Sequence, residues 1–379
     1  STLSTYFKSL KRYKHAKPLS EEALALCELL NGPSHLETAE QLTNHASLLH
    51  CCGELKDAMP IYARALDIKE DICGHLSPLT FQALDNLASV FFDEGNYRKS
   101  LKLYKRLLET HREIARKSRT GQAGPEVADA LVQMAFIYEV YEEIQDFDQS
   151  YHLLKEALNV YADFYTEEHE SRAVVWEAMA GLKEQEGLLM EGLVLHRKVL
   201  QLRLKLFHDQ AEYMGLDASD AVACPPLASV ADSHNSIGEI LLDLGDIAAA
   251  TDELHEALRI RNILAEPHNW PLAKGEENAL LALATVQTNL AYALVQGPKR
   301  RHHHNNYYEA RDVAKPAYAS RMRYLGIRSM QTLETINVQG VVDELIQDYN
   351  AEKERLKLER KEKRAKEERA AARKLQREI

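Results

Sequence analysis

The side chains best suited to chemistry stand far apart in this 379-residue chain. His302-His303-His304 offers imidazoles, a common metal ligand. Consecutive residues in a polar, basic stretch do not converge easily on one ion, and no Cys or carboxylate stands beside them. The run is therefore expected to be solvated loop. Cys51-Cys52 lies in a helical pattern with no evident partner, and its expected state is a buried thiol. His35 and His169 occupy matching turn positions, where capping or packing is expected rather than catalysis. Ser, His and Asp are plentiful, yet no nucleophile elbow, GxxxxGK[ST] phosphate loop or GxGxxG fingerprint occurs. Trp176 and Trp270 are expected to serve packing. These residues predict no enzyme, no metal and no cofactor.

The elements that must position them are helical. Hydrophobic residues form 45% of the chain and charged residues 28%, enough apolar material for a core and too much for wholesale disorder. No apolar run approaches the ~18–20 residues of a membrane span. The start, Ser1 to Tyr6, has neither an apolar signal core nor an initiator Met, as expected of a processed or incomplete chain. The five cysteines (Cys27, Cys51, Cys52, Cys73, Cys224) are odd in number and are expected to be reduced and buried. Net charge is −11; Asn350 to Ile379 holds 12 basic and 7 acidic residues, leaving −16 for the remainder. An acidic body argues against general nucleic-acid binding, whereas the tail favours an acidic partner.

A repeat of 42 residues organises the chain. Ala46, Gly53, Ala58 and Tyr62 recur as Ala88, Gly95, Ser100 and Tyr104. The pattern is helix, tight Gly turn, helix. Small residues let paired helices approach, the tyrosines fill the space between units, and the glycines make the turn. These residue types at these offsets are those of a tetratricopeptide unit with an extended second helix. The small first-helix landmark continues as Ala135, Ala180, Gly238, Ala291 and Gly340; second helices begin near Ser150, Gly192, Ala250 and Ala310. The expected fold is all-α: a right-handed superhelical solenoid of about eight helix-turn-helix repeats over 1–349. The repeats lie near 1–36, 39–72, 81–116, 128–165, 173–207, 231–264, 284–324 and 333–349, the first and last incomplete. A charged, basic, helical tail follows over 350–379, projecting and solvated. Insertions at Lys117 to Gly124, His208 to Pro226 and Gly297 to Asn306 break the spacing and are either contact loops or neutral surface.

Tyr13-Lys14-His15-Ala16-Lys17-Pro18-Leu19, Thr80 to Ala88, Gly95-Asn96-Tyr97, Tyr324-Leu325-Gly326 and Thr332-Leu333 resemble the repeats of kinesin light chains. The likeness includes the 42-residue period. It implies a superhelix whose first helices line a concave groove for peptide or protein, in a family that links cargo to a microtubule motor. No heptad segment for pairing with a heavy chain is visible.

In that fold, first-helix positions 2, 5, 9, 12 and 13 face the groove. Carried onto this chain they give 35 residues, of which 12 are carboxylates and none is Lys or Arg. The expected binding set is Glu40, Asp85, Phe92, Asp93, Asp129, Phe136, Glu139 and Glu177, continuing with Glu184, Asp232, Asn235, Glu239, Asp243 and Tyr292. Such a face suits a basic or apolar segment, with Phe92, Phe136 and Tyr292 as anchors; the alternative is a merely solvated acidic surface. In the tail, Lys353, Arg360, Lys361, Lys363, Arg364, Lys366, Arg373 and Lys374 either contact an acidic polymer such as tubulin or RNA, or keep the helix soluble.

The sequence thus predicts a non-enzymatic scaffold of a large assembly, cytoskeletal in setting: microtubule- or axoneme-associated, or a motor-cargo adaptor. The alternative is a structural component of an organellar, mitochondrial ribonucleoprotein. Expected partners are proteins, with tubulin or motor subunits at the tail, RNA as the weaker option, and no membrane span. The expected location is cytoplasmic, cytoskeletal or ciliary, with mitochondrial as the alternative.

Overall fold

A computed structural model describes residues 2–9, 12–117, 124–213, 227–267, 276–297 and 304–378, with side chains of the last helix described to Lys363. His302 and His303, Trp270, Cys224 and most of the three insertions lie outside these residues, as do the side chains of Arg364, Lys366, Arg373 and Lys374. The described residues form fifteen α-helices and one 3-10 turn (Glu142–Ile144) and contain no strand.

The chain divides into two compact units, residues 1–182 and 183–379. In the first, helices alternate along the repeat: α1 (Thr2–Ser9), α2 (Tyr13–Asn31), α3 (Leu36–Cys51), α4 (Leu55–Cys73), α5 (Pro78–Asp93), α6 (Tyr97–Lys117), α7 (Glu126–Val140) and α8 (Phe147–Phe164), then most of α9 (Glu170–Gln185). The second holds α10 (Leu189–Tyr213), α11 (Leu227–Asp243), α12 (Ile247–Leu264), α13 (Glu276–Gln296), α14 (His304–Tyr324) and α15 (Met330–Glu378). Odd-numbered helices are the first helices of the repeats and even-numbered ones the second.

The period is visible in the backbone. Helices α3 and α5 start and end 42 residues apart. Gly53 and Gly95 make the turns within units at φ of 77° and 83°, a region that side chains other than glycine's rarely tolerate. Between units, Thr38 and Thr80 each donate to the carbonyl oxygen of the preceding turn glycine, Gly32 and Gly74, at 2.8 Å. His35 and His169 cap α3 and α9, each accepting a backbone N–H through Nδ1 at 3.3 Å, in the capping role expected of them. Tyr165 stacks on His169 at 3.8 Å.

Small residues hold the paired helices together. Ala46, Ala88, Ala135, Ala180 and Ala291 are fully or almost fully buried. Within the first unit, Ala39 and Leu42 of α3 pack with Ala65 and Ile68 of α4 and with Leu24. Within the second, Leu290, Ala291 and Leu294 of α13 join Leu254, Tyr307, Ala310, Ala314, Val342 and Ile346. Tyr62 and Tyr104 are buried, as their place between helices requires.

Three expectations need correction. Gly340 is exposed with no atom near a Cβ position, because α15 has no second helix folded back on it among the described residues. Cys51 is exposed and Cys27, Cys52 and Cys73 are half-buried: Cys51 sits on the outward side of the last turn of α3, and Cys52 in the turn beyond it. Finally, α13 is long and apolar enough to cross a membrane by composition alone. Its apolar side chains are taken up by packing with α12, α14 and α15. The tail, expected from residue 350, does not begin at a break; α15 runs unbroken from the last repeat through to Glu378.

Candidate partner-binding face

First-helix positions of the first unit converge on a cavity of about 610 Å³. Gln82 and Asp85 of α5 and Glu126 and Asp129 of α7 supply its polar wall; Phe81, Leu107 and Ile114 supply the apolar one. Asp85 and Asp129 were both expected in the binding set, and the repeat brings them together although 44 residues separate them. Solvent reaches Asp85, yet the surrounding walls remove enough water to raise its carboxyl pKa, and the like charge of Asp129 raises it further. The Tyr104 hydroxyl opposes that shift by donating to the carboxylate. Tyr104 is itself pushed well above the ordinary phenol range by burial and by Asp85.

His111 closes the back of this cavity. It is buried against the Phe81 ring, centroids 4.4 Å apart, and its Nε2 meets no hydrogen-bond partner among the described residues. Burial lowers its pKa, so the neutral imidazole is favoured despite nearby Glu126.

His111 belongs to a series that the sequence reading missed. Eleven residues after the small landmark of each second helix stand Cys27, Lys69, His111, Tyr161, Arg203, Arg261 and Arg321. All but Cys27 are buried polar side chains. Most reach back to the first helices and neutralise or hydrogen-bond what lies there. Lys69 donates to Thr43 at 3.4 Å and is attracted by Glu40, while burial lowers its pKa. Tyr161 donates to Asp129, and Arg261 pairs with Asp232. Arg203 donates to Ser233 at 2.9 Å; Arg321 donates to the Gln331 carbonyl at 2.5 Å and to Thr335 at 2.8 Å. A recurring polar residue at one register position was the available signal.

The remaining expected residues divide between free-standing and engaged. In the first unit, Glu40 is exposed, and Asp93 accepts from His50 at 2.5 Å, joining α5 to α3. Phe92 does not stand clear as an anchor: its ring packs on Tyr97 across the turn, 5.4 Å between centroids. Phe136, Glu139 and Glu177 are half-buried. In the second unit, Glu184 accepts from His196 at 2.8 Å. Asn235 and Glu239 of α11 form a cluster with Asn289 of α13, which donates to Asn235 at 3.0 Å and to Glu239 at 2.6 Å. Asp243 is exposed, and Tyr292 is 46% exposed, the one expected aromatic with a largely free ring. In the tail, Lys353, Arg360, Lys361 and Lys363 are exposed, while Arg355 and Lys357 pair with glutamates of their own helix. No three His, Cys, Asp or Glu side chains gather as a metal site among the described residues.

Comparison with known proteins agrees with this architecture. Residues 3–71 and 40–113 match the tetratricopeptide repeat model. BtubC (BKLC) from P. vanneervenii is 18% identical with a TM-score of 0.53, over 73% of this chain and 94% of that one. A signal transduction ATPase with numerous domains from Pyrococcus horikoshii, carrying a tetratricopeptide repeat sensor, is 15% identical with a TM-score of 0.54. That match covers 86% of this chain and 42% of the larger one. The TPR-like repeats of a Podosopora anserina protein described as a kinesin light chain are 16% identical, TM-score 0.46, over 54% and 93%. No curated protein matches the chain by sequence. Residues 3–113 are tetratricopeptide repeats, and the chain has the all-α solenoid fold of that repeat, with kinesin-light-chain-like proteins among its structural neighbours.

Proposed function

We propose that the chain is a non-enzymatic protein-interaction scaffold whose first-helix face takes a basic or apolar segment of a partner. The cavity of Asp85, Glu126 and Asp129 carries this reading. It pairs carboxylates that neighbour one another with an apolar wall, which suits a Lys or Arg side chain: the aliphatic stem lies on Phe81 and Ile114 while the charged head meets the carboxylates. A cation entering there relieves the repulsion between Asp85 and Asp129. The unpartnered His111 nitrogen offers the incoming segment one further polar contact.

The setting we favour is a large cytoskeletal assembly, microtubule- or axoneme-associated or a motor-cargo adaptor. That preference rests on the sequence runs that resemble kinesin light chains, and the exposed lysines of α15 suit an acidic surface such as tubulin's.

Titrating the full chain with labelled peptides tests the binding mode. A Lys/Leu peptide is expected to bind more tightly than its Glu/Leu counterpart. Asp85→Asn with Asp129→Asn should weaken it about tenfold, the worth of roughly 1.4 kcal/mol. Equal binding of the two peptides, or a double variant that binds as the natural chain does, would contradict the reading.

A further inference from the structure

A second surface, of opposite sign, lies on α6. From Tyr97 to Lys117 this helix holds eight Lys or Arg and two Glu, so its net charge is +6 in a body that is acidic as a whole. The cations nearest its start, Arg98, Lys99, Lys102, Lys105 and Arg106, fall at three- and four-residue spacing and therefore share one side of the helix. All five are exposed. They line an open cavity of about 840 Å³ together with Phe91, Leu103, Tyr141 and Ile144. None of the residues lining it lines the cavity of Asp85 and Asp129.

Two of these cations already have partners. Arg98 is held by Glu143 and by the Tyr141 hydroxyl at 2.7 Å, and Arg106 by Glu70 at 2.5 Å. Lys99, Lys102 and Lys105 pair with no carboxylate among the described residues. Instead, the Lys99 ammonium lies 5.1 Å from the Phe91 ring centre and that of Lys105 lies 6.0 Å from Tyr138. Resting on aromatic rings fixes the stems and leaves the charged heads facing water, ready to meet an anion.

We propose that this cavity docks an acidic peptide segment of a partner protein bearing one apolar or aromatic side chain. Its carboxylates meet Lys99, Lys102 and Lys105, and its apolar side chain covers Phe91, Leu103 and Ile144. A peptide fits better than a nucleic acid for two reasons. Phosphates would leave the apolar lining unused. A strand long enough to leave the stripe would run over an acidic body, whereas screening within about 8 Å lets a short acidic segment feel the stripe alone. The inference is independent of the first-helix cavity, which takes the opposite charge.

Fluorescence anisotropy on the full chain tests it. The probes are a short Glu/Asp peptide with one central Trp, the same peptide with Ser for Trp, and a single-stranded oligonucleotide. The Trp peptide is expected to bind best. Lys99→Glu, Lys102→Glu and Lys105→Glu together should weaken it about tenfold or more. Lys353→Glu, Lys357→Glu and Lys361→Glu in the other basic surface should leave it within about twofold. If the triple reversal lowers the melting temperature, Lys99→Gln, Lys102→Gln and Lys105→Gln take its place with the same expectation. The proposal is overturned if the acidic peptide does not bind, if the α6 variants bind it unchanged, if only the tail variant loses it, or if the oligonucleotide binds and the peptide fails to displace it.

Discussion

Inside α11, Gly238 faces Leu254 of α12 so closely that a Cβ would stand 2.7 Å from Leu254 Cγ and 2.8 Å from Cδ2. Leu254 is fully buried and has no room to yield. Overpacking of this kind costs about 1–3 kcal/mol, against the roughly 1 kcal/mol that alanine gains over glycine in a helix. Gly238→Ala should therefore destabilise the chain by about 1 kcal/mol net, read in urea melts. Gly181, in α9 with nothing within 4 Å of its Cβ position, should respond oppositely, gaining up to about 1 kcal/mol as Ala. Equal responses of the two would refute the close helix approach. Asp85 makes a different residue-scale prediction. A raised folded pKa means that the folded chain keeps a proton the unfolded chain gives up. Stability should therefore fall as pH rises from the ordinary aspartate range through the raised value. Asp85→Asn should flatten that fall, giving a higher melting temperature than the natural chain at neutral pH and no advantage in strong acid. An advantage that persisted unchanged in acid would place its cause elsewhere.

At the scale of elements, the repeat was legible because its signals are local and recur. The small residues, turn glycines and tyrosines of α3 to α6 return after 42 residues, and so do the helix boundaries. The binding face was legible only in part. Asp85 and Asp129 could be placed on one face by register, but their partners Tyr104 and Tyr161 lie on second helices, which a first-helix reading leaves out. Phe92 was taken as an anchor because register points it outward, whereas the Gly95 turn returns Tyr97 onto its ring. The stripe of α6 was legible as composition and passed over because acidic residues dominate the body. Helix α15 yields a further prediction. Beyond Tyr349 it is exposed on all described sides, so its helicity owes nothing to the repeat core. Ala351→Pro, which costs a helix interior about 3 kcal/mol or more, should reduce the far-UV helical signal and leave the melting temperature of the repeats within about 2 °C. A falling melting temperature would show that the tail supports the fold.

At the scale of the molecule, each unit keeps its own set of polar contacts on the first-helix face. In the first, Asp85 and Asp129 share a cavity; in the second, Asn235, Glu239 and Asn289 form a hydrogen-bonded cluster. Buried polar groups of the second helices brace both. Such bracing fixes the carboxylates in place before a partner arrives, which lowers the ordering cost of binding. The central claim is that a basic segment enters the cavity of the first unit. The most direct measurement replaces exposed Gln82, at the mouth of that cavity, with a photo-reactive residue in the full chain. Partners are then cross-linked in an extract of the source cells and the joined peptide is sequenced. The account predicts that the joined segment carries Lys or Arg beside the linked residue, and that Asp85→Asn with Asp129→Asn removes most of the product. An acidic joined segment, or a yield unchanged in the double variant, would contradict it.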